Sequence, residues 1–333
     1  MALRINSNHI LKLNINSCFL VFLFFCNTLF SNDVNIMPIY DKNQINETSP
    51  LRAALVLEGG ALRSIYTSGV LDVFMENNIQ FELIVAVSAG ALNAGNYIAN
   101  HIGRSARINI LHSNDHNYYG LRQIIFKRRA FNFEYIFYSP IKDLYPYDYN
   151  AFENSKQRLL IGATNIETGE IEFFERDTYD ELVHVLQASS SLPLLSQPVI
   201  INESAYLDGA ISDPIPISKA FYEGYDKVVV VLTRHSEFRL PPSSRFHRFL
   251  FWFHNRRYPK LMETMRNRPQ KYNSLIEEIN LMEKNNHIFV IRPSRELNIR
   301  TLEKDARKLF ELYMLGRDDT RDLLTNMKKF IKN

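Results

Sequence analysis

Two short, unbroken apolar runs mark the first third of the chain, Ala53–Leu57 (AALVL) and Leu83–Val87. Each is too short for a buried helix and too uniformly apolar for a half-exposed strand, so each predicts a strand covered on both faces. Between them Ile65, Val70, Val73 and Phe74 recur near helical spacing, which predicts a helix over Ser64–Asn77. Ser88 follows the second run at once, and the small-residue stretch Ala89–Ala99 reads as the next helix. Farther on, Leu159–Asn165 and Ile171–Phe174 read as strands joined at Glu167-Thr168-Gly169, and Asp180–Ser189 as a helix. Val199–Ile201, Ala205–Leu207, Lys227–Thr233 (KVVVVLT) and His287–Arg292 complete the expected strands. Continuous apolar strands alternating with helices predict an α/β fold of three layers, α/β/α, around a mostly parallel central sheet.

Three stretches break the alternation. His112–Phe152 is crowded with aromatic residues at no clean period, including Tyr118, Tyr119, Phe131, Phe137 and Tyr147. It reads either as an insertion over the main domain or as ordinary core. The chain after Arg234 reads as helical through to Ile331, a C-terminal extension. At the other end, the apolar run Cys18–Phe30 is preceded by Arg4 and Lys12 and followed by the polar stretch Ser31–Pro50, the layout of a leader peptide. As a helix that run would span roughly 20 Å, short of the ~30 Å hydrocarbon core. The expected organisation is a leader or anchor over 1–31, a polar linker over 32–50, an α/β domain over 51–235 with its insertion at 112–152, and a mainly helical extension over 236–333. The protein is then expected to be exported or membrane-associated, and cytoplasmic if the N-terminal run is not a working leader.

Composition narrows the function classes. With 46% hydrophobic and 23% charged residues the chain is of ordinary globular type, not disordered or fibrous. A net charge of +3 is too small for a general nucleic-acid binder. Both cysteines, Cys18 and Cys26, lie in the N-terminal apolar run, so the remainder can hold no disulfide framework, cysteine nucleophile or Cys-ligated zinc.

The candidate chemistry sits at strand ends. Ala86-Val87-Ser88-Ala89-Gly90 lies between a strand and a helix, the setting of a nucleophile elbow. Small neighbours let the helix start against the strand while the hydroxyl projects above the sheet. A helix N-cap serine would have the same local pattern. Gly59-Gly60-Ala61-Leu62-Arg63 follows the first strand and opens a helix, where consecutive amides and the positive end of the helix dipole make an anion nest. An acyl-transfer intermediate needs such donors for its oxyanion. The Gly59–Arg63 loop is thus the candidate donor set, with Arg63 either holding the loop or meeting a lipid phosphate. The late histidines His235, His247, His254 and His287 do not sit in small-residue turns after strands, whereas Asp208, in Leu207-Asp208-Gly209-Ala210, does. An aspartate raised by burial can take a serine proton directly.

Together, LEGGALRSIYTSGVLD (57–72), VSAGALNA (87–94), GATNIETGE (162–170), ASSSLPLLSQPV (188–199) and YLDGAISDPIPI (206–217) resemble the patatin-like phospholipase family, in its bacterial branch with a helical C-terminal region. The resemblance spans about Arg52–Thr233 firmly and the tail more loosely. It implies a patatin-like fold, a catalytic dyad of Ser88 and Asp208 in place of a triad, and the Ala89 amide as a further oxyanion donor beside the loop Gly59, Gly60, Ala61, Leu62 and Arg63. It also implies hydrolysis of phospholipid or lysolipid esters without metal or cofactor. The departures are Ala86 where the family usually has glycine, and Ala210 where many members have a second one. A non-catalytic lipid-binding scaffold and a histidine-dependent carboxylesterase are the alternatives.

One further stretch concerns the membrane. Arg234–Lys271 holds ten basic residues against Glu237 and Glu263, and Phe246, Phe249, Leu250 and Phe253 fall on one helix face beside Trp252 and Tyr258. That pattern predicts either peripheral contact with an anionic membrane through 245–260, or a helix docking its aromatic face on the domain.

Overall fold

A computed structural model describes residues 49–138, 143–176 and 179–332. The leader expected over 1–31 and most of the linker lie outside the described residues. The strands are β1 (Leu51–Leu57), β2 (Phe81–Val87), β3 (Arg158–Asn165), β4 (Ile171–Glu175), β5 (Val199–Ile201), β6 (Ser204–Asp208), β7 (Val228–Val231) and β8 (Phe289–Ile291). The helices are α1 (Ile65–Glu76), α2 (Ala89–Ile98), α3 (Arg104–Leu111), α4 (Leu121–Lys127), α5 (Phe133–Tyr138), α6 (Tyr149–Asn154), α7 (Tyr179–Ser189), α8 (Ile217–Tyr222), α9 (Arg245–Asn255), α10 (Pro259–Lys284) and α11 (Ala306–Lys332).

They build the expected mixed α/β architecture. The sheet runs β5-β6-β3-β2-β1-β7-β8, with β4 also paired to β3. Strands β8, β7, β1, β2 and β3 are mutually parallel, while β4 and β6 run antiparallel to β3. The unbroken apolar runs have their predicted cause: Ala53–Leu57 is buried on both faces. One face of β1, β2 and β7 packs with Ile217 and Ala220 of α8 and Tyr272, Ile276 and Ile279 of α10. On the other, α2 packs against β1 and β2, and α11 packs against α1 and β8.

The tail is therefore not an appendage. It supplies an edge strand, β8, and covers the sheet with α10 and α11, although the stretch from Arg292 to Asp305 between those two is irregular. The 112–152 segment forms short helices and a Tyr119–Phe131 bridge. Within it Tyr118, Tyr119 and Phe152 are buried, while Leu121, Ile125 and Phe126 stand in solvent. On α9 the predicted aromatic face, Phe246, Phe249 and Phe253, is exposed with Trp252, and it is Phe251 that docks. Periodicity identified the helix but not which face the fold would cover.

Candidate active site

The carboxyl ends of β1 and β2 lie side by side, and the functional groups hang from the loops that leave them, as ligand sites do in open α/β sheets. Ser88 sits between β2 and α2 at φ 54°, ψ −133°, a conformation that disfavours any side chain. The surrounding bonds hold it there. The Ser88 N–H donates to Ser189 Oγ at 2.8 Å, and the Ser189 hydroxyl donates to Gly162 O at 2.7 Å. A serine from the end of α7 thus ties the elbow to the neighbouring strand.

The Ser88 hydroxyl donates to Asp208 Oδ2 at 2.8 Å, across 120 residues of sequence. Asp208 ends β6. Its own N–H donates to Ser191 O, its carbonyl accepts from the Thr164 hydroxyl, and its Oδ1 accepts from the Ala210 N–H at 2.8 Å. The side chain is about 2% exposed, and that burial pushes its carboxyl up to about 6. The Ala210 N–H, the Ser88 hydroxyl and the Arg268 charge pull the other way. Gly209 is required by space: a Cβ there would lie 2.2 Å from Gly162 O.

The glycine loop departs from the expected donor set. The Gly59 N–H donates to Pro214 O at 3.2 Å, so it is already committed. Gly59 instead permits close approach, since a Cβ at that position would meet Ser88 Cβ at 3.0 Å. The Arg63 N–H is spent within the turn, on Gly60 O. The Arg63 side chain points away from Ser88, into a small cavity with Thr233, Arg234 and His235, where burial lowers it to about 10. Arg63 lines that cavity and not the Ser88 crevice, and with its N–H spent on Gly60 O it does not belong to the oxyanion donors. Among the described residues the N–H groups of Gly60, Ala61 and Ala89 are bonded to no acceptor. Ala61 and Ala89 line the same crevice as Ser88.

That crevice encloses about 930 Å³, its solvent mouth included. Its walls are mostly apolar: Leu92, Ile108, Leu186 and Leu192 from the α/β domain, and Tyr118, Phe131, Ile136 and Phe137 from the 112–152 segment. Two buried hydroxyls on it, Ser64 Oγ and Ser190 Oγ, have no hydrogen-bond partner among the described residues. Asn93 holds the inner wall, donating to Ser64 O and accepting from Ser68 Oγ. Among the described residues no histidine lines it: His235 lies in the Arg63 cavity and His287 is exposed. Among the described residues no three His, Cys, Asp or Glu side chains are placed to hold a metal ion.

Helix α10 supports the loops that carry Asp208 and Gly59, a feature no sequence motif announced. Arg268 Nε donates to Ala210 O at 2.9 Å and Lys271 Nζ to Ser212 O at 2.7 Å, beside Asp208. The Tyr272 hydroxyl donates to Glu58 Oε1 at 2.9 Å, just ahead of the glycine loop. Glu58 in turn accepts from the N–H and hydroxyl of Thr233. The three side chains recur at i, i+3 and i+4 on one helix face.

Family models agree with this layout. The sequence model of the patatin-like phospholipase family matches residues 55–221, and a domain of unknown function, DUF6363, matches residues 258–332. The chain is similar to an uncharacterized Escherichia coli protein, YjjU, at 26% identity over 303 residues, covering 89% of this chain and 83% of that one. The crystal structure of VipD from Legionella pneumophila aligns with 84% of this chain and 68% of its own, at 15% identity and a TM-score of 0.39.

Proposed function

The chain belongs to the patatin-like phospholipase family, and from that premise we propose that it is a lipid acyl hydrolase in which Ser88 is the nucleophile and Asp208 its general base. The observation that carries this reading is the 2.8 Å Ser88–Asp208 hydrogen bond at the foot of an apolar crevice. Asp208 takes the hydroxyl proton as Ser88 Oγ attacks the ester carbonyl carbon. The carbonyl electron pair moves onto oxygen, and the free amides of Gly60, Ala61 and Ala89 are the groups placed to receive it, one such donor being worth about 3 kcal/mol. Collapse of the intermediate expels the alcohol, which leaves with the proton from Asp208. Water then gives its proton to Asp208 and attacks the acyl-serine, and Ser88 departs with that proton as the fatty acid is released.

The crevice suits the acyl chain. Its aliphatic and aromatic walls start at Ser88 and run under the 112–152 segment, which supports an ester with an acyl chain, a phospholipid or lysolipid, as the substrate. A fluorophosphonate probe tests the assignment directly. It should label the wild-type protein and leave Ser88→Ala unlabelled; equal labelling of both would sink it.

A further inference from the structure

Two helices far apart in sequence leave large apolar side chains in solvent. On α4 they are Leu121, Ile125 and Phe126, the last 74% exposed. On α9 they are Phe246, Phe249, Trp252 and Phe253, with Phe249 packed against both Trp252 and Phe253. Single exposed apolar residues are ordinary, but clusters of this kind mark a surface that something covers. The surroundings indicate what. Residues 119–133 contain four basic residues and no acidic one, and residues 238–262 contain six basic residues and no acidic one. Arg245, Arg248 and Arg266 line the groove between α9 and α10 together with Phe249 and Trp252. No carboxylate pairs with these three arginines among the described residues.

Both helices are anchored on one piece of chain. Arg128 O, at the end of α4, accepts from the Gln197 N–H at 3.0 Å, and the Ala130 N–H donates to Ser196 Oγ at 3.0 Å. Leu194 packs in the small core that holds Phe251 of α9. Ser190 and Leu192, at the start of the same segment, line the crevice that contains Ser88. The two apolar, basic-rimmed helices therefore meet at a segment that is itself a wall of the active-site crevice.

We propose that α4 and α9 together form a two-legged docking surface for an anionic phospholipid bilayer, with the aromatic side chains entering the acyl region and the arginines meeting lipid phosphates. The proposal extends the lipid-hydrolase reading by placing the crevice wall at the membrane, so that a substrate acyl chain can pass inward along Leu192 without crossing water.

Trp252 is the sole tryptophan of the chain, which makes its fluorescence a report from one leg alone. The full-length Ser88→Ala protein is mixed with vesicles of phosphatidylcholine, with or without phosphatidylglycerol. Trp252 emission should shift to the blue and be quenched by bromine-labelled acyl chains only when phosphatidylglycerol is present, and added salt should weaken the response. A Phe126→Trp probe in a Trp252→Phe background should respond in the same way. Leu121→Glu with Phe126→Glu should raise the lipid concentration needed for the Trp252 response at least tenfold. Unchanged Trp252 emission, or an equal response to neutral vesicles, would overturn the proposal. A silent Phe126→Trp probe would overturn the second leg. Emission already blue in vesicle-free protein, and reversed by dilution or by removal of residues 1–48, would assign the patch to a second copy or to the N-terminal segment instead. A lipid response from wild-type protein that hydrolyses no ester would leave the surface standing and remove only the hydrolase reading.

Discussion

The motif-bearing loops and helix α10 both reach the Ser88–Asp208 pair, but they do so by different physics. Gly59–Ala89 and Asp208 are placed by local rules: a strand ends, a small residue permits close approach, and a polar group is turned toward the crevice. Helix α10 acts at long range, through three long side chains that bond the backbone of the Asp208 loop and the carboxylate beside the glycine loop. The difference teaches that the reactive groups and the frame that holds them are separately encoded. The match of a distinct domain model to residues 258–332 fits that division.

The largest effect expected on the motif side is that of Asp208→Asn, which should lower ester turnover at least a hundredfold by removing the base. The same change should stabilise the fold. Because burial raises this carboxyl from 3.8 to about 6, the folded state holds its proton more tightly than the unfolded state. Stability is therefore lost as pH rises from about 4 to about 6, and the ionised group costs about 3 kcal/mol above that range. Thermal unfolding at pH 8 should show Asp208→Asn gaining most, with the gain fading toward pH 4. Wild-type kcat/KM should fall below pH 6, where the base becomes protonated. Activity that persists undiminished at pH 5, or a stability gain from Asp208→Asn that is the same at all pH values, would contradict the buried-base picture.

Next in size are the changes on α10. Arg268→Gln removes a charge that holds the Asp208 carboxyl down, so the acidic limb of the pH profile should move upward, along with a several-fold loss in kcat. A merely structural arginine would lower stability without moving that limb. Tyr272→Phe leaves the buried Glu58 carboxylate with its two Thr233 donors and one bond fewer, a loss of about 1.5–3 kcal/mol in thermal or denaturant unfolding. If neither variant alters the pH limb or stability, α10 is a passive cover and the comparison above collapses.

Much of this site was legible in the sequence because its signals are short-range. Strand, serine and small-residue helix are contiguous at 83–99, and Asp208 announces itself by ending a strand before glycine. The supporting bonds were not legible. Ser189 reaches the Ser88 amide across 101 residues, and nothing local distinguishes it from its neighbours Ser190 and Ser191. Arg268, Lys271 and Tyr272 look like a solvated helix face until the sheet is packed beneath them. The sequence offers Gly59 as an amide donor, but its N–H is taken by Pro214 O, far along the chain, and what the position supplies instead is room beside Ser88. The same holds for Arg63: a helix-opening arginine can turn to either side, and in the fold it lines the cavity with Thr233 and not the Ser88 crevice. Helical periodicity, likewise, gives the aromatic face of α9 without saying whether protein or something else covers it.

The smallest effect, and the sharpest probe of the motif side, is strain at the elbow. Ser88 has positive φ, and a non-glycine residue in that region stores about 1–3 kcal/mol. Ser88→Ala keeps the Cβ and the strain while losing the hydroxyl bond to Asp208; Ser88→Gly loses both the bond and the strain. Subtracting one unfolding free energy from the other therefore cancels the lost bond and leaves strain relief, offset in part by the greater freedom of glycine in the unfolded chain. The glycine variant should be more stable than the alanine variant by about 1 kcal/mol, both being inactive. Equal stabilities would mean that the strain stored at the elbow is no larger than the freedom glycine gains in the unfolded chain, so that the positive φ costs the fold little.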